Sequence, residues 1–387
     1  MPHPESFTLS GPAAQLWDTL VGLAELQSDM QHTVMRGLDL PSRARVLAAI
    51  SKLATRGALE NEADFDLDSR EPPPRPQLRK MHLELTHRCN FACKGCYLGA
   101  RLAPVSGASR HEGTTEQWLT LIRQAGELGC TYATITGGEP FIRPDILTLL
   151  DALSAQNISA EINTNGSCIT PRIAKALRNV LVSSVEVSIY GYDAASSEGY
   201  TGSKAGHDAS IRGVRHLVEE GVPVHVKYFA TSTTNHGYEQ INQLLMPLGV
   251  KVKYAAVTIH GDIFDGKPAP DGLTVDIPRK EVKQKRELPC TPSMNGLGIE
   301  PDGSVRACPK LTLLFGNAFE QGLEAIWNRS ADLTAFREFW IEYCKSAGFV
   351  RGASLKSPCP ANNLLMREGG LAEFRNQWDT WREKERA

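Results

Sequence analysis

Between His82 and Val257 the chain alternates short segments of strand character with segments of helical period, and this alternation limits the fold more than any other feature. Strand-like runs occupy His82 to Thr86, Tyr132 to Thr136, Ser159 to Asn163, Val185 to Ile189, Val222 to Ala230 and Lys251 to Val257. Between them, apolar residues recur at helical spacing over Thr115 to Leu128, Pro144 to Gln156, Pro171 to Asn179, Ala209 to Glu220 and Gly237 to Leu248. Strands separated throughout by helices predict an α/β unit built on a parallel sheet.

Directly after the first strand, Cys89, Cys93 and Cys96 stand in THRCNFACKGCYLG. A CxxxCxxC loop offers three thiolates, one fewer than a closed ferredoxin-type site. It therefore points to a [4Fe-4S] cluster whose fourth iron takes a non-protein ligand. A zinc knuckle completed by His87 is the alternative, although structural zinc ordinarily takes CxxC pairs answered by a second pair downstream. The second strand runs straight into Gly137-Gly138-Glu139-Pro140. Two glycines let backbone approach a ligand closely, and a glutamate can accept from an ammonium; taken alone, the same tetrapeptide is an ordinary strand-to-helix turn.

The cysteine loop and the GGEP turn together resemble the signature of radical S-adenosyl-L-methionine (SAM) enzymes. The resemblance implies a partial (β/α)6 TIM-type barrel, open on one side, with the cofactor at the C-terminal strand ends. It implies that Gly137, Gly138, Glu139 and Pro140 bind the methionine amino group of SAM. Asn163-Thr164-Asn165-Gly166 looks like the family's third-strand turn, which brings Asn165 to the cofactor, and Ser188 matches a serine that contacts SAM in relatives. One position departs from the pattern: many relatives carry a bulky residue before the third cysteine, where this chain has Gly95, with Tyr97 following the cluster. That leaves the adenine contact unassigned.

The remaining cysteines divide by context. Cys290, Cys308, Cys344 and Cys359 lie beyond the barrel, Cys308 in DGSVRAC and Cys359 in SPCP. This region is similar to the SPASM or shorter Twitch extension of radical SAM enzymes, which carries auxiliary [4Fe-4S] clusters. Four cysteines suffice for one auxiliary cluster, and the tight CxxCxxxxxC run of a full SPASM extension is absent. Cys344 sits on an amphipathic helix and also reads as a simple buried thiol. Cys130, before a strand, and Cys168, after a turn, read as free thiols, and the ten histidines are scattered.

Composition brackets these readings. The chain has 387 residues, 41% of them hydrophobic, enough for more than one core. A net charge of −2 without a basic block or aromatic cluster predicts no nucleic-acid partner. No apolar run is long enough to span a bilayer and no signal peptide opens the chain, which predicts a cytoplasmic protein without membrane attachment. Nine cysteines in motif-like groups point to metal ligation in a reducing compartment. A charged, proline-rich stretch, EPPPRP at 71–76, reads as a stiff linker, and 260–274 closes the barrel unit.

The domain boundaries predicted are 1–66, a helical unit; 67–80, the linker; 81–275, the barrel; 276–366, the auxiliary-cluster region; and 367–387, a C-terminal helix. The first unit, with helical periods over Ser10 to Val21 and Arg43 to Arg56 and then GALE, resembles a truncated PqqD-like recognition element, a winged-helix fold that binds leader peptides by strand addition. A helical cap on the barrel is the alternative. The whole resembles maturases of ribosomally made peptides. It implies a precursor-peptide substrate, a reductase or flavodoxin-type electron donor, and hydrogen abstraction by a 5′-deoxyadenosyl radical. A sulfatase-maturase-like or small-molecule enzyme of the same superfamily stays open, and so does a non-catalytic iron–sulfur scaffold, against which the GGEP turn argues.

Overall fold

The computed structural model describes residues 76–106, 112–231, 234–256, 282–283, 292–348, 354–355, 361 and 370–386. The PqqD-like reading of 1–66, most of the linker, the 260–274 break, Cys290 and Cys359 lie outside them.

All six expected strands form: β1 (Lys80–Thr86), β2 (Tyr132–Gly137), β3 (Ser159–Thr164), β4 (Val182–Ile189), β5 (Val224–Ala230) and β6 (Lys251–Ala256). Each pairs in parallel with the next. Helices α1 (Thr115–Glu127), α2 (Ile146–Ala155), α3 (Pro171–Leu177), α4 (Ala194–Thr201), α5 (Gly206–Glu219) and α6 (Tyr238–Leu245) cross between the strands. Alternation along each strand separates two faces. Leu83, Leu85, Ile135, Ile162, Val185, Val187 and Val226 are buried with Trp118, Leu121, Leu149, Leu177, Val214 and Ile241 of the helices in one core. Glu84, Thr136, Glu161, Asn163, Glu186, Ser188 and Lys227 take the other phase and make the barrel interior polar.

Local chemistry explains the helix ends. Thr114 and Gln117 form a capping box at α1. The helix expected over Gly237 to Leu248 passes into a 3-10 turn at Met246–Leu248, where Pro247 supplies no N–H to continue the α ladder. Helix α4 was not foreseen. Asp193 and Ser196 cap its start, and Gly202, at φ 69°, ends it in the left-handed conformation.

The C-terminal region joins the same sheet. Strand β7 (Gly296–Ile299) pairs in parallel with the free side of β1, Lys80 opposite Gly296 and Leu83 opposite Ile299. β8 (Ser304–Arg306) and β9 (Leu314–Asn317) follow antiparallel. The result is an open nine-stranded sheet in the order β9-β8-β7-β1-β2-β3-β4-β5-β6. Helices α7 (Leu323–Arg329), α8 (Ala331–Ser346) and α9 (Gly370–Arg386) pack beside it. Phe336, Phe339 and Trp340 of α8 meet Phe374 and Trp378 of α9 at centroid distances of 5.2–6.0 Å. Each such aromatic burial is worth about 1.5–3 kcal/mol, which is what holds so polar a helix as α9 in place.

Candidate functional site

A cavity of about 310 Å³ opens at the C-terminal ends of β1 to β5. Its wall takes Cys89, Cys93, Gly95, Cys96 and Tyr97 from the loop after β1, and Thr136, Gly137 and Gly138 from the end of β2. Asn163, Thr164 and Asn165 come from β3, Ser188 and Tyr190 from β4, and Lys227 and Phe229 from β5. Seven of the residues singled out from sequence therefore meet in one place: the three cysteines, both glycines, Asn165 and Ser188.

The cysteine loop is held from two sides. Ala92 N–H donates to Thr201 O (2.8 Å) and Lys94 N–H to Tyr200 O (3.0 Å), so the end of α4 carries its middle. The Asn165 amide donates to Asn90 Oδ1 (2.8 Å), and the Asn90 amide donates to Ser167 Oγ (2.8 Å), tying the loop to the third-strand turn. Cys89 Sγ accepts from Phe91 N–H at 3.3 Å. Burial, reinforced by their mutual repulsion as anions, pushes the thiols up, Cys89 to about 12 and Cys93 well above its ordinary value; burial likewise raises Cys96.

Three thiols so placed fit a polynuclear iron centre. A cationic iron core removes the penalty on the thiolates by pairing their charges at once. A single tetrahedral zinc ion needs its sulfurs about 3.8 Å apart. Among the described residues, the one group of three or more candidate ligand atoms lying within 4.8 Å of each other is Glu84, His87 and Glu300, which includes none of the cysteines. His87 instead faces Glu84 at 3.2 Å, so the zinc knuckle is not assembled.

The GGEP turn packs on the cysteine loop. Gly138 N–H donates to Thr86 O (2.7 Å) and Glu139 N–H to Arg88 O (2.9 Å), so the turn lies against the chain entering the cysteine loop. A Cβ on Gly137, whose φ is 127°, would stand 2.2 Å from Thr86 O, and one on Gly138 would stand 2.1 Å from Arg88 O. The close approach that demands glycine is to the loop's own backbone. The Glu139 side chain is fully buried and does not line the cavity. Its carboxylate accepts from Phe141 N–H (3.0 Å), Thr164 O–H (2.8 Å) and Asn165 N–H (2.7 Å), and burial outweighs these donors to raise its pKa to about 6. Both of its oxygens are thus engaged within the chain. Pro140 opens a buried 3-10 turn and also lies outside the cavity lining.

Sequence reading missed an aromatic wall. Tyr190 stacks on Tyr200 (5.0 Å, 14°) and on Phe229 (5.3 Å, 21°), and Cys93 packs against Tyr200. For Tyr190 and Phe229, positions at or just past C-terminal strand ends, where barrel sites form, were the available signal; Tyr200 comes from the end of α4. Tyr97, noted as following the cluster, donates its hydroxyl to Gly137 O at 3.3 Å.

In the C-terminal region, Cys308 follows β8 half-buried, its Sγ accepting from Lys310 N–H at 3.5 Å, the same local turn as at Cys89. Cys344 is fully buried on α8 within the main core.

Comparison with known proteins agrees with this geometry. Residues 83–246 match the model of the radical SAM superfamily, and residues 290–347 match that of an iron–sulfur cluster-binding domain, SPASM. The chain carries a radical SAM domain joined to a SPASM domain. A radical SAM domain uses a [4Fe-4S] cluster and SAM, and a SPASM domain carries auxiliary iron–sulfur ligation. The chain is 27% identical over 301 residues to a PqqA peptide cyclase of Rhizobium meliloti, covering 69% of this chain and 78% of that one. It is 28% identical over 174 residues to an AdoMet-dependent heme synthase of Nitratidesulfovibrio vulgaris, covering 45% and 46%. Its fold resembles that of Streptococcus suis SuiB bound to S-adenosylmethionine, with a TM-score of 0.54 at 16% identity over 84% of this chain and 78% of that one.

Proposed function

We propose that this radical SAM protein modifies a ribosomally made precursor peptide. The observation that carries the reading is the alignment with a PqqA peptide cyclase, which at 301 residues is longer than the barrel match alone. Cys89, Cys93 and Cys96 hold the radical cluster, and Cys290, Cys308 and Cys359, with Cys344, ligate a single auxiliary cluster. Bound there, cluster and SAM supply a one-electron cleavage that yields a 5′-deoxyadenosyl radical able to take hydrogen from carbon.

The chain's own residues bind, orient and exclude water. Gly137 and Gly138 present backbone, Asn165 and Ser188 present polar side chains, and the Tyr190–Tyr200–Phe229 wall presents flat apolar surface to whatever fills the cavity. Glu139 positions rather than binds, by locking the β2 turn to the β3 turn. A reductase or flavodoxin-type protein delivers the electron, and the reaction belongs to the reducing cytoplasm. Among the described residues, no helix is long and apolar enough to cross a membrane.

The heme synthase relative favours a second reading, oxidation of a small molecule on the same barrel. Co-expression with candidate precursor peptides from the gene's neighbourhood, followed by mass spectrometry of each peptide, separates the two. A loss of hydrogen mass at defined residues is expected. Unaltered peptide from cells in which the enzyme cleaves SAM would remove the peptide reading.

A further inference from the structure

Glu186 on β4 gathers more positive charge than it neutralises. Its carboxylate lies 2.9 Å from His225 Nδ1, 3.3 Å from Lys227 Nζ and 3.3 Å from Lys253 Nζ. The parallel register produces this grouping: Glu186 is opposite His225, and Ser188, Lys227 and Lys253 stand side by side across β4, β5 and β6 on the interior face. Glu186 is 4% exposed, whereas the side chains of His225, Lys227 and Lys253 are 37%, 29% and 42% exposed. One buried acid thus faces two ammonium groups whose outer sides are open. Glu161, on the same face, is engaged by the Tyr132 hydroxyl at 2.7 Å. Asn163 Oδ1 accepts from Lys227 at 3.2 Å and brings no charge.

The position of this surplus matters as much as its sign. Lys227 belongs to the wall of the cavity, while Lys253 stands one strand further toward the open edge and is not part of that wall. Glu186 orients the two ammonium groups along one line leading from the edge strand to the cavity. A carboxylate arriving there gains two charge-assisted hydrogen bonds from donors already held in place.

We propose that Lys227 and Lys253, arrayed on Glu186, dock a carboxylate of the substrate peptide and so set which residue reaches the cavity. This rests on the peptide reading above. The carboxylate has two sources in a peptide, an Asp or Glu side chain or the chain terminus.

The test uses the reconstituted full-length enzyme and the peptide that the co-expression experiment identifies as its substrate. The peptide is supplied native, with each Asp or Glu changed singly to Asn or Gln, and with an amidated C-terminus. One of these neutralised forms is expected to raise peptide KM about tenfold or more, as loss of a charge-assisted hydrogen bond does. Lys253→Gln raises the KM of native peptide similarly, Lys253→Arg restores most of it, and combining the enzyme and peptide changes costs little more than either alone. The KM for SAM moves less than about twofold. The proposal is overturned if every neutralised peptide behaves as native, or if Lys253→Gln raises the KM for SAM as much as that for peptide, which would assign the basic pair to the cofactor. Peptide left untouched by a wild-type enzyme that turns over a propionate-bearing tetrapyrrole instead would remove the peptide reading itself, and this inference with it.

Discussion

At the scale of single residues, Glu139 shows how one side chain fits two incompatible roles until its neighbours are known. In GGEP it stands where a carboxylate is able to meet an ammonium, yet in the fold three residues of the chain supply its donors. Glu139→Gln keeps the shape but places an amide N–H against either the Asn165 or the Phe141 N–H. A loss of about 1–3 kcal/mol of stability is expected, measured by denaturant titration; an unchanged midpoint together with lost SAM affinity would return the carboxylate to the cofactor. Burial also lifts its folded pKa to about 6 from the ordinary 4.5. The raised value means that the folded state holds a proton the unfolded state has released. Glu139's favourable contribution is therefore full below about pH 4.5 and lost as pH rises through about 6. That portion of the pH dependence should vanish in Glu139→Gln.

At the scale of elements, the cysteine loop has little structure of its own and takes its shape from the pieces around it. The β2 turn presses against its entry through Gly137 and Gly138, and the end of α4 carries its middle. Gly138→Ala would drive a methyl into the Arg88 carbonyl at 2.1 Å, so the loop must shift to admit it. The expected outcome is a protein with native far-ultraviolet dichroism that fails to retain the radical cluster, seen as lost iron and lost 5′-deoxyadenosine formation. Full iron retention would mean that the loop tolerates the displacement and that the glycines serve the ligand instead. Helix α4 itself was invisible to a search for apolar period, because its sequence AASSEGYT has almost none. Its capping residues Asp193, Ser196 and Gly202 were the legible signal.

At the scale of the whole molecule, one continuous sheet carries the radical SAM strands and the strands leading to Cys308, since β7 pairs directly with β1. The cysteine loop follows β1 and Cys308 follows β8 on that sheet, and iron counting tests whether the two cysteine groups act independently. Reconstituted wild-type protein is expected to hold about eight irons, two [4Fe-4S] cubes, and the combined Cys89, Cys93 and Cys96 alanine variant about half of that. Iron-free triple variant would show that the C-terminal cysteines ligate no cluster. The strand–helix order, the three-cysteine loop and the polar turns at the strand ends were all readable in the sequence, because periodicity and ligand spacing are local properties. The role of Glu139, the reason for the two glycines, the aromatic wall and the basic group on Glu186 were not. Each depends on which side chains distant strands bring face to face, and that is set by sheet register and burial, which no local spacing encodes.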